Sequence, residues 1–279
     1  MNIIGLGQAG CNIADMLSEY PQYKIYKIDV GIEGTRCYDV KRQKGPEEYE
    51  KNVPSMKTFF RGIKGETLFI VGGSGHISAM CLRIMEQIKD KCEISVLYIR
   101  PELSMLSKTK SLHEKATFNI LQEFARSGLL GMLYLVSNTN LENILGNVPI
   151  IGYNNKINEL LVSTIHMINV FKNSEPVMGK IEEPSEICRI ATFGISEIEE
   201  GEEKFFFSLD NTTERCYIYG INEERLATEG GLKKKIIDRI KSTSSEESIQ
   251  VSFGVFPTNY QQDYCYTLNY TSIIQSDNR

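Results

Sequence analysis

At 279 residues, with 41% hydrophobic and 24% charged residues, the chain can bury a sizeable core and reads as folded rather than disordered. A net charge of -5 argues against a nucleic-acid surface spread over the fold, so no direct nucleic-acid binding is expected. No apolar run approaches the roughly 18 residues that span a bilayer, and the first strand has neither a basic lead nor a small-residue cleavage site, which predicts a cytoplasmic protein with no membrane insertion.

The chain opens with Met1 to Asn12, an apolar strand that runs into Gly5, Gly7 and Gly10, after which Ile13, Met16 and Leu17 recur at helical spacing. Tyr23 to Val30 reads as a second strand ending near Asp29 and Gly31. A helix is predicted from Glu47 towards Gly62, interrupted at Pro54. Glu66 to Val71 is a short apolar strand that meets Gly72-Gly73-Ser74-Gly75-His76, followed by a helix with Ile77, Met80, Cys81, Ile84, Met85 and Ile88 on one face. Ile94 to Ile99 is a strand, a long helix spans about Ser107 to Arg126, and Met132 to Val136 is a strand closed by the polar turn Ser137 to Asn140. Alternating strands and helices imply parallel strands with crossover helices, so the first half reads as a doubly wound α/β sheet whose binding site lies at the carboxyl ends of its strands.

A broadly apolar helix from about Asn155 to Phe171 follows. Beyond it, Ile187 to Ile195, Arg215 to Ile221, Ser248 to Phe256 and Asp263 to Ile274 read as strands, with one helix from Leu232 to Lys241, in a smaller α+β body. Its last two strands are expected to pair side by side across Pro257 to Gln262. The acidic stretch Glu197 to Lys204 reads as a solvated connection. The resulting division is a nucleotide domain over 1–152, a central core helix over 153–175 and a C-terminal α+β domain over 176–279.

Two stretches carry chemistry. Glycine turns entering helices let backbone N–H groups approach a phosphate, and the helix N-terminus adds partial positive charge at the same place. Gly5-Leu6-Gly7-Gln8-Ala9-Gly10 also satisfies G-x-G-x-x-G, with Asp29 at a distance suited to a ribose contact, so an NAD-dependent oxidoreductase is one reading. His113 and His166 fall on helices and supply no catalytic constellation for it. The second turn, Gly72 to Gly75, adds the further donors that a triphosphate needs. Seven scattered cysteines without a C-x-x-C pair predict reduced thiols rather than disulfides or zinc ligands.

Gly-Gln-Ala-Gly-Cys-Asn at residues 7–12 closely resembles the first nucleotide loop of the tubulin and FtsZ family, and Gly72-Gly73-Ser74-Gly75 resembles that family's second glycine signature. The order of strands, core helix and smaller domain follows the family layout along nearly the whole chain. The resemblance implies that Gly7, Gln8, Ala9 and Gly10 surround the phosphates of GTP or GDP, with Gln8 near a Mg2+ ion, and that Cys11 and Asn12 lie at the base and sugar. A small buried thiol at a helix start is the competing reading of Cys11. Gly72, Gly73, Ser74 and Gly75 would wrap the β- and γ-phosphates. His76 and Ile77 replace small residues of the family pattern, and His76 is read either as an anion donor or as a helix-start histidine with no role. Asn138 and Asn158 resemble the two guanine readers, since an amide donates and accepts along the guanine edge. Glu102 is a candidate for the ribose hydroxyls, and Tyr153 or Asn154 for covering the base.

Hydrolysis in the family is completed by acidic residues of the next subunit. Glu183 and Glu186, three apart at an expected helix start marked by Pro184, would share one face and fill that role, with Glu182 as a substitute. Ile181 stands where the family has an asparagine, and acids at a helix start also serve as caps. The expectation is a GTPase that forms a head-to-tail homopolymer, with an adaptor protein as a further partner. The alternatives are a nucleotide-binding subunit with weak or no hydrolysis, and the oxidoreductase.

Overall fold

The structure, a computed structural model, describes residues 1–198 and 203–276. Two units emerge, Met1–Val162 and Ser163–Gln275. In the first, the chain runs β1 (Asn2–Leu6), α1 (Gly7–Leu17), β2 (Lys24–Asp29), β3 (Cys37–Asp39), α2 (Pro46–Lys51), β4 (Gly65–Gly72), α3 (Cys81–Glu86), β5 (Cys92–Arg100), α4 (Lys108–Arg126), β6 (Leu133–Ser137), α5 (Asn138–Leu145) and α6 (Tyr153–Lys172). The last of these helices crosses the boundary between the units.

The first unit's sheet has the order β3-β2-β1-β4-β5-β6, with every neighbouring pair parallel. All five residues of β1 are buried, as are Leu68 to Val71 and Val96 to Arg100, the near-continuous apolar runs of strands covered on both faces. From β1 the chain winds outwards through β2 and β3, then returns to β4 on the other side of β1. The strand order therefore reverses between β1 and β4, where ligands bind in open α/β sheets.

Three local expectations change. The helix expected from Glu47 towards Gly62 is only Pro46–Lys51, because the segment beyond it is held by a side chain: the Met56 N–H donates to Gln87 Oε1 at 2.7 Å and Gln87 Nε2 donates to the Pro54 carbonyl at 3.1 Å. The short parallel strand β3 lacks the apolar run that marks its neighbours. The polar residues Asn138 to Asn140 open α5 instead of forming a turn.

The second unit contains β7 (Met178–Lys180), β8 (Ile190–Ser196), β9 (Lys204–Phe205), β10 (Glu214–Asn222), α7 (Glu223–Thr228), α8 (Leu232–Glu247), β11 (Gln250–Thr258) and β12 (Tyr264–Thr271). The order is β8-β12-β10-β11-β7, with β9 pairing β8. The pair β10 and β11 is parallel and the remaining pairs are antiparallel. Tyr217, Tyr219, Ile221, Leu232, Ile236 and Val255 form one core between sheet and α8.

Here β11 and β12 do not pair side by side, since β10 lies between them. Eight of the nine residues of β10 are buried, so it takes a neighbour on each edge. Its last residue anchors the β11–β12 connection: Asn222 Nδ2 donates to the Tyr260 carbonyl at 2.8 Å, and the Asn222 N–H donates to Asp263 Oδ1 at 2.7 Å. The acidic connection is also not simply solvated. Residues 199–202 lie outside the described ones, but Glu203 is largely buried, pairs with Arg215 at 3.2 Å and Arg239 at 3.3 Å, and accepts a hydrogen bond from the Tyr217 hydroxyl. Among the described residues no helix is long and apolar enough to cross a membrane.

Candidate functional site

β1 and β4 run parallel in register, Leu6 opposite Val71, and each passes directly into a glycine turn at the same edge of the first unit. Gly7 has φ +70°, a conformation that costs a side chain-bearing residue roughly 1 kcal/mol. The turns touch. A Cβ on Gly7 would lie 2.8 Å from Cγ2 of Ile77, and one on Gly72 would lie 3.3 Å from Cβ of Ala9. Gly10 is pressed against the neighbouring strand, where an added Cβ would collide with the Ile70 carbonyl oxygen.

Three helix starts at this edge share an electrostatic feature. α1, the 3-10 turn His76–Met80 before α3, and α5 begin with no side-chain cap and no acidic residue in the first turn. α4, by contrast, is capped by Ser107. Uncapped N–H groups carry the positive end of the helix dipole, so the edge above β1, β4 and β6 is suited to an anion.

In the first turn Gln8, Ala9 and Asn12 are exposed, while Gly7 and Gly10 are buried. Cys11 points inward. Its thiol lies 3.5 Å from the Gly5 carbonyl and 3.7 Å from that of Ile28, and burial pushes it up to about 12. In the second turn Gly73 is buried, Ser74 half-buried, and Gly75 and His76 exposed. Three bonds shape it: the Gly73 N–H donates to the Ile99 carbonyl at 2.9 Å, the Ser78 N–H to the Gly75 carbonyl at 3.0 Å, and the Ser78 hydroxyl to the Gly72 carbonyl.

Beneath Gly73 lies a buried polar cluster. The Tyr98 hydroxyl donates to Glu114 Oε1 at 2.9 Å, and Arg100 Nε donates to the same oxygen at 3.2 Å. Arg100 also lies over the Phe118 ring, 4.4 Å from its centre. All four side chains are within 3% of complete burial. Sequence reasoning passed over Ser78, Tyr98, Arg100 and Glu114. Glu114 left a signal, because it shares the buried face of α4 with Phe118, Leu121 and Ala125.

Two of the remaining candidates, Glu102 and Asn138, follow β5 and β6 at the same edge. Glu102 follows β5 and accepts from the Ser104 hydroxyl at 2.6 Å, and the half-buried Asn138 opens α5. The Tyr153 hydroxyl donates to Glu142 Oε2 at 2.7 Å, and the tyrosine is pushed up to about 12 by burial, by that bond, and by the charges of Glu142 and Glu102. The first turn of α6 thus sits beside α5 and the β5 loop. Asn158 is half-buried further along α6.

No protein-family model matches the sequence, and no curated protein sequence matches it. Solved structures do. A GTPγS-form protofilament of TubZ from Bacillus thuringiensis serovar israelensis aligns with TM-score 0.74 and 16% identity, over 96% of this chain and 86% of that one. The empty FtsZ dimer of M. jannaschii aligns with TM-score 0.70 and 13% identity, over 97% and 87%. A GTPγS-bound protofilament of CetZ2 from Haloferax volcanii aligns with TM-score 0.69 and 13% identity, over 96% and 92%. The chain has the tubulin/FtsZ fold.

One part of the expected tubulin/FtsZ-like site takes a different form. Glu183 and Glu186, on the second unit, do not stand on a helix: residues 181–185 are irregular and a single turn follows. The reason is a side chain from β10. Both Glu214 carboxylate oxygens accept from the Ser185 N–H at 3.2 Å, and one also accepts from the Ser185 hydroxyl. The Cys188 N–H then donates to the Ser185 carbonyl at 2.8 Å, closing the turn. Helical spacing therefore does not put the two acids on one face. Glu182, Glu183 and Glu186 are all exposed.

Proposed function

We propose that the chain binds GTP or GDP at the carboxyl edge of its first unit and assembles head to tail into filaments, hydrolysing GTP where subunits meet. The observation that carries this reading is the contact between the two glycine turns at the strand-order reversal, flanked by three helix starts without caps or acids. The N–H groups of Gly7, Gln8, Ala9 and Gly10 serve one part of the phosphate chain, and Gly72, Gly73, Ser74 and Gly75 the rest. Asn138 and Asn158 read the guanine edge, Glu102 holds ribose hydroxyls, and Asn12 lies towards the nucleoside. His76, exposed beside Gly75, is within the same turn. Cys11 packs beneath the site. A Mg2+ ion would neutralise phosphate charge here, and the exposed Gln8 amide would help hold it.

The TubZ and CetZ2 neighbours are protofilament structures, which supports polymerisation of this chain too. In a head-to-tail polymer Glu183 and Glu186 of one subunit orient the water that attacks the γ-phosphate on the next. The functional division keeps 1–152 as nucleotide domain, 153–175 as core helix and 176–279 as C-terminal domain, in a cytoplasmic protein with an adaptor as additional partner.

A second reading, nucleotide binding with slow or absent hydrolysis, is favoured by the irregular, exposed acidic segment and by the 3-10 start after the second turn. Light scattering, negative-stain microscopy and phosphate release, each with GTP and with GDP, separate the two. Filaments with phosphate release that Glu183→Ala or Glu186→Ala abolishes support the first. Filaments without release support the second. Saturable NAD binding with no GTP binding refutes both.

A further inference from the structure

At the amino-terminal edge of the same sheet, opposite the glycine turns, a cleft of about 560 Å³ is lined by Gln22, Lys24, Arg36, Gly62, Lys64 and Glu66 among others. Lys24, Arg36 and Lys64 all line it, in a chain whose net charge is -5. Lys24 Nζ donates to a neutral group, the Gly62 carbonyl, at 3.1 Å. Among the described residues no carboxylate pairs with Lys24, Arg36 or Lys64. The one acid in the lining, Glu66, forms no ion pair with any of them.

Two features indicate that the arrangement is held in place by the fold. Arg36 has φ +55°, an uncommon conformation for a residue with a side chain, and it is fixed by the bond from the Lys27 N–H to the Arg36 carbonyl at 2.9 Å. The Tyr26 ring then gathers the charges, with Lys24 Nζ 5.4 Å and Arg36 Cζ 5.9 Å from its centre. Like charges held together without a counter-charge repel, and an anion drawn from solution removes that cost.

We propose that this cleft binds a small, multiply charged anion of the phosphate or polyphosphate class. Arg36 supplies the planar fork that fits a phosphate, Lys24 and Lys64 act as point charges, and the cleft volume limits the ligand to small-molecule size. Glu66, in the same lining, disfavours a ligand that fills the whole cleft with negative charge. The site is separate from the glycine turns and does not depend on what they bind.

The test is titration of isotopically labelled protein with inorganic pyrophosphate, followed by amide chemical shifts, which report each edge of the sheet independently. Saturable shifts at residues 22–24, 35–37 and 62–66 support the site. Shifts confined to residues 7–10 and 72–75, or no shifts, overturn it. The Arg36→Glu/Lys64→Glu variant, shown by thermal melting to be folded, is expected to weaken binding at this edge at least about tenfold. Wild-type affinity in that variant overturns the proposal, and if the double variant does not fold, Lys64→Glu alone, at an exposed position, provides the same comparison.

Discussion

Gly73→Ala is the most incisive perturbation of the second glycine turn. A methyl group there would lie 2.8 Å from Cζ of Tyr98, closer still to its hydroxyl, and 3.1 Å from Cγ of Glu114. Neither neighbour can swing away, because both side chains are completely buried and bonded to one another. Overpacking of this kind costs roughly 1–3 kcal/mol. If the ring is displaced, the Tyr98–Glu114 bond is lost as well, and a buried bond to a charged group contributes roughly 1.5–3 kcal/mol. A total of roughly 3–5 kcal/mol lowers the melting temperature by roughly 6–20 °C for a unit of this size. Calorimetric melting of Gly73→Ala, Tyr98→Phe and the double variant checks the mechanism, because removing the hydroxyl removes the closest collision. The double variant is expected to be about 1 kcal/mol or more better than the sum of the single costs. A wild-type melting temperature for Gly73→Ala, or strict additivity with Tyr98→Phe, refutes the account.

Three other outcomes follow from the geometry. Cys11, buried and pushed up to about 12, should resist iodoacetamide at pH 8 in the folded protein while the half-buried Cys37 reacts; peptide mass mapping that finds Cys11 labelled first contradicts its inward orientation. Burial likewise raises Cys81 and Cys265 from 9.0 to about 12, so the folded state keeps protons that the unfolded state releases. Their stabilisation is complete below pH 9 and is lost as pH rises from 9 towards 12, by up to ~1.4 kcal/mol per pH unit per thiol. Urea midpoints at pH 8 and pH 10.5 should differ in that direction, and by less in Cys81→Ala. Finally, Glu214→Ala removes the acceptor that holds Ser185, so hydrogen exchange at the amides of Ser185 and Cys188 should accelerate, with amides on β10 least affected; unchanged exchange there shows that the segment is held by something else.

Much of the first unit was legible because its signals are local. An apolar run, a glycine turn and a helical repeat occupy adjacent residues, so β1 into α1 and β4 into its following turn could be read without knowing what packs against them. The reversal between β1 and β4 follows from parallel winding, and it is what brings Gly7 to Gly10 against Gly72 to Gly75. The inward turn of the Cys11 thiol towards the Gly5 and Ile28 carbonyls had no local signal, since a thiol at a helix start suits either interior or ligand.

What the linear chain left undecided depends on partners far along it. Pro184 followed by acids has the local chemistry of a helix start, but Glu214, 29 residues on from Ser185, takes its N–H and sets a turn instead. The pairing of β12 depends on β10, whose two buried edges admit a strand on each side, and the ring of Tyr98 reaches Gly73 only because β4 and β5 are neighbours. Local backbone preference is encoded within a few residues and can be read there; the partner that satisfies a buried charge, a strand edge or a close-packed glycine is chosen by the folded chain, where sequence distance no longer measures separation.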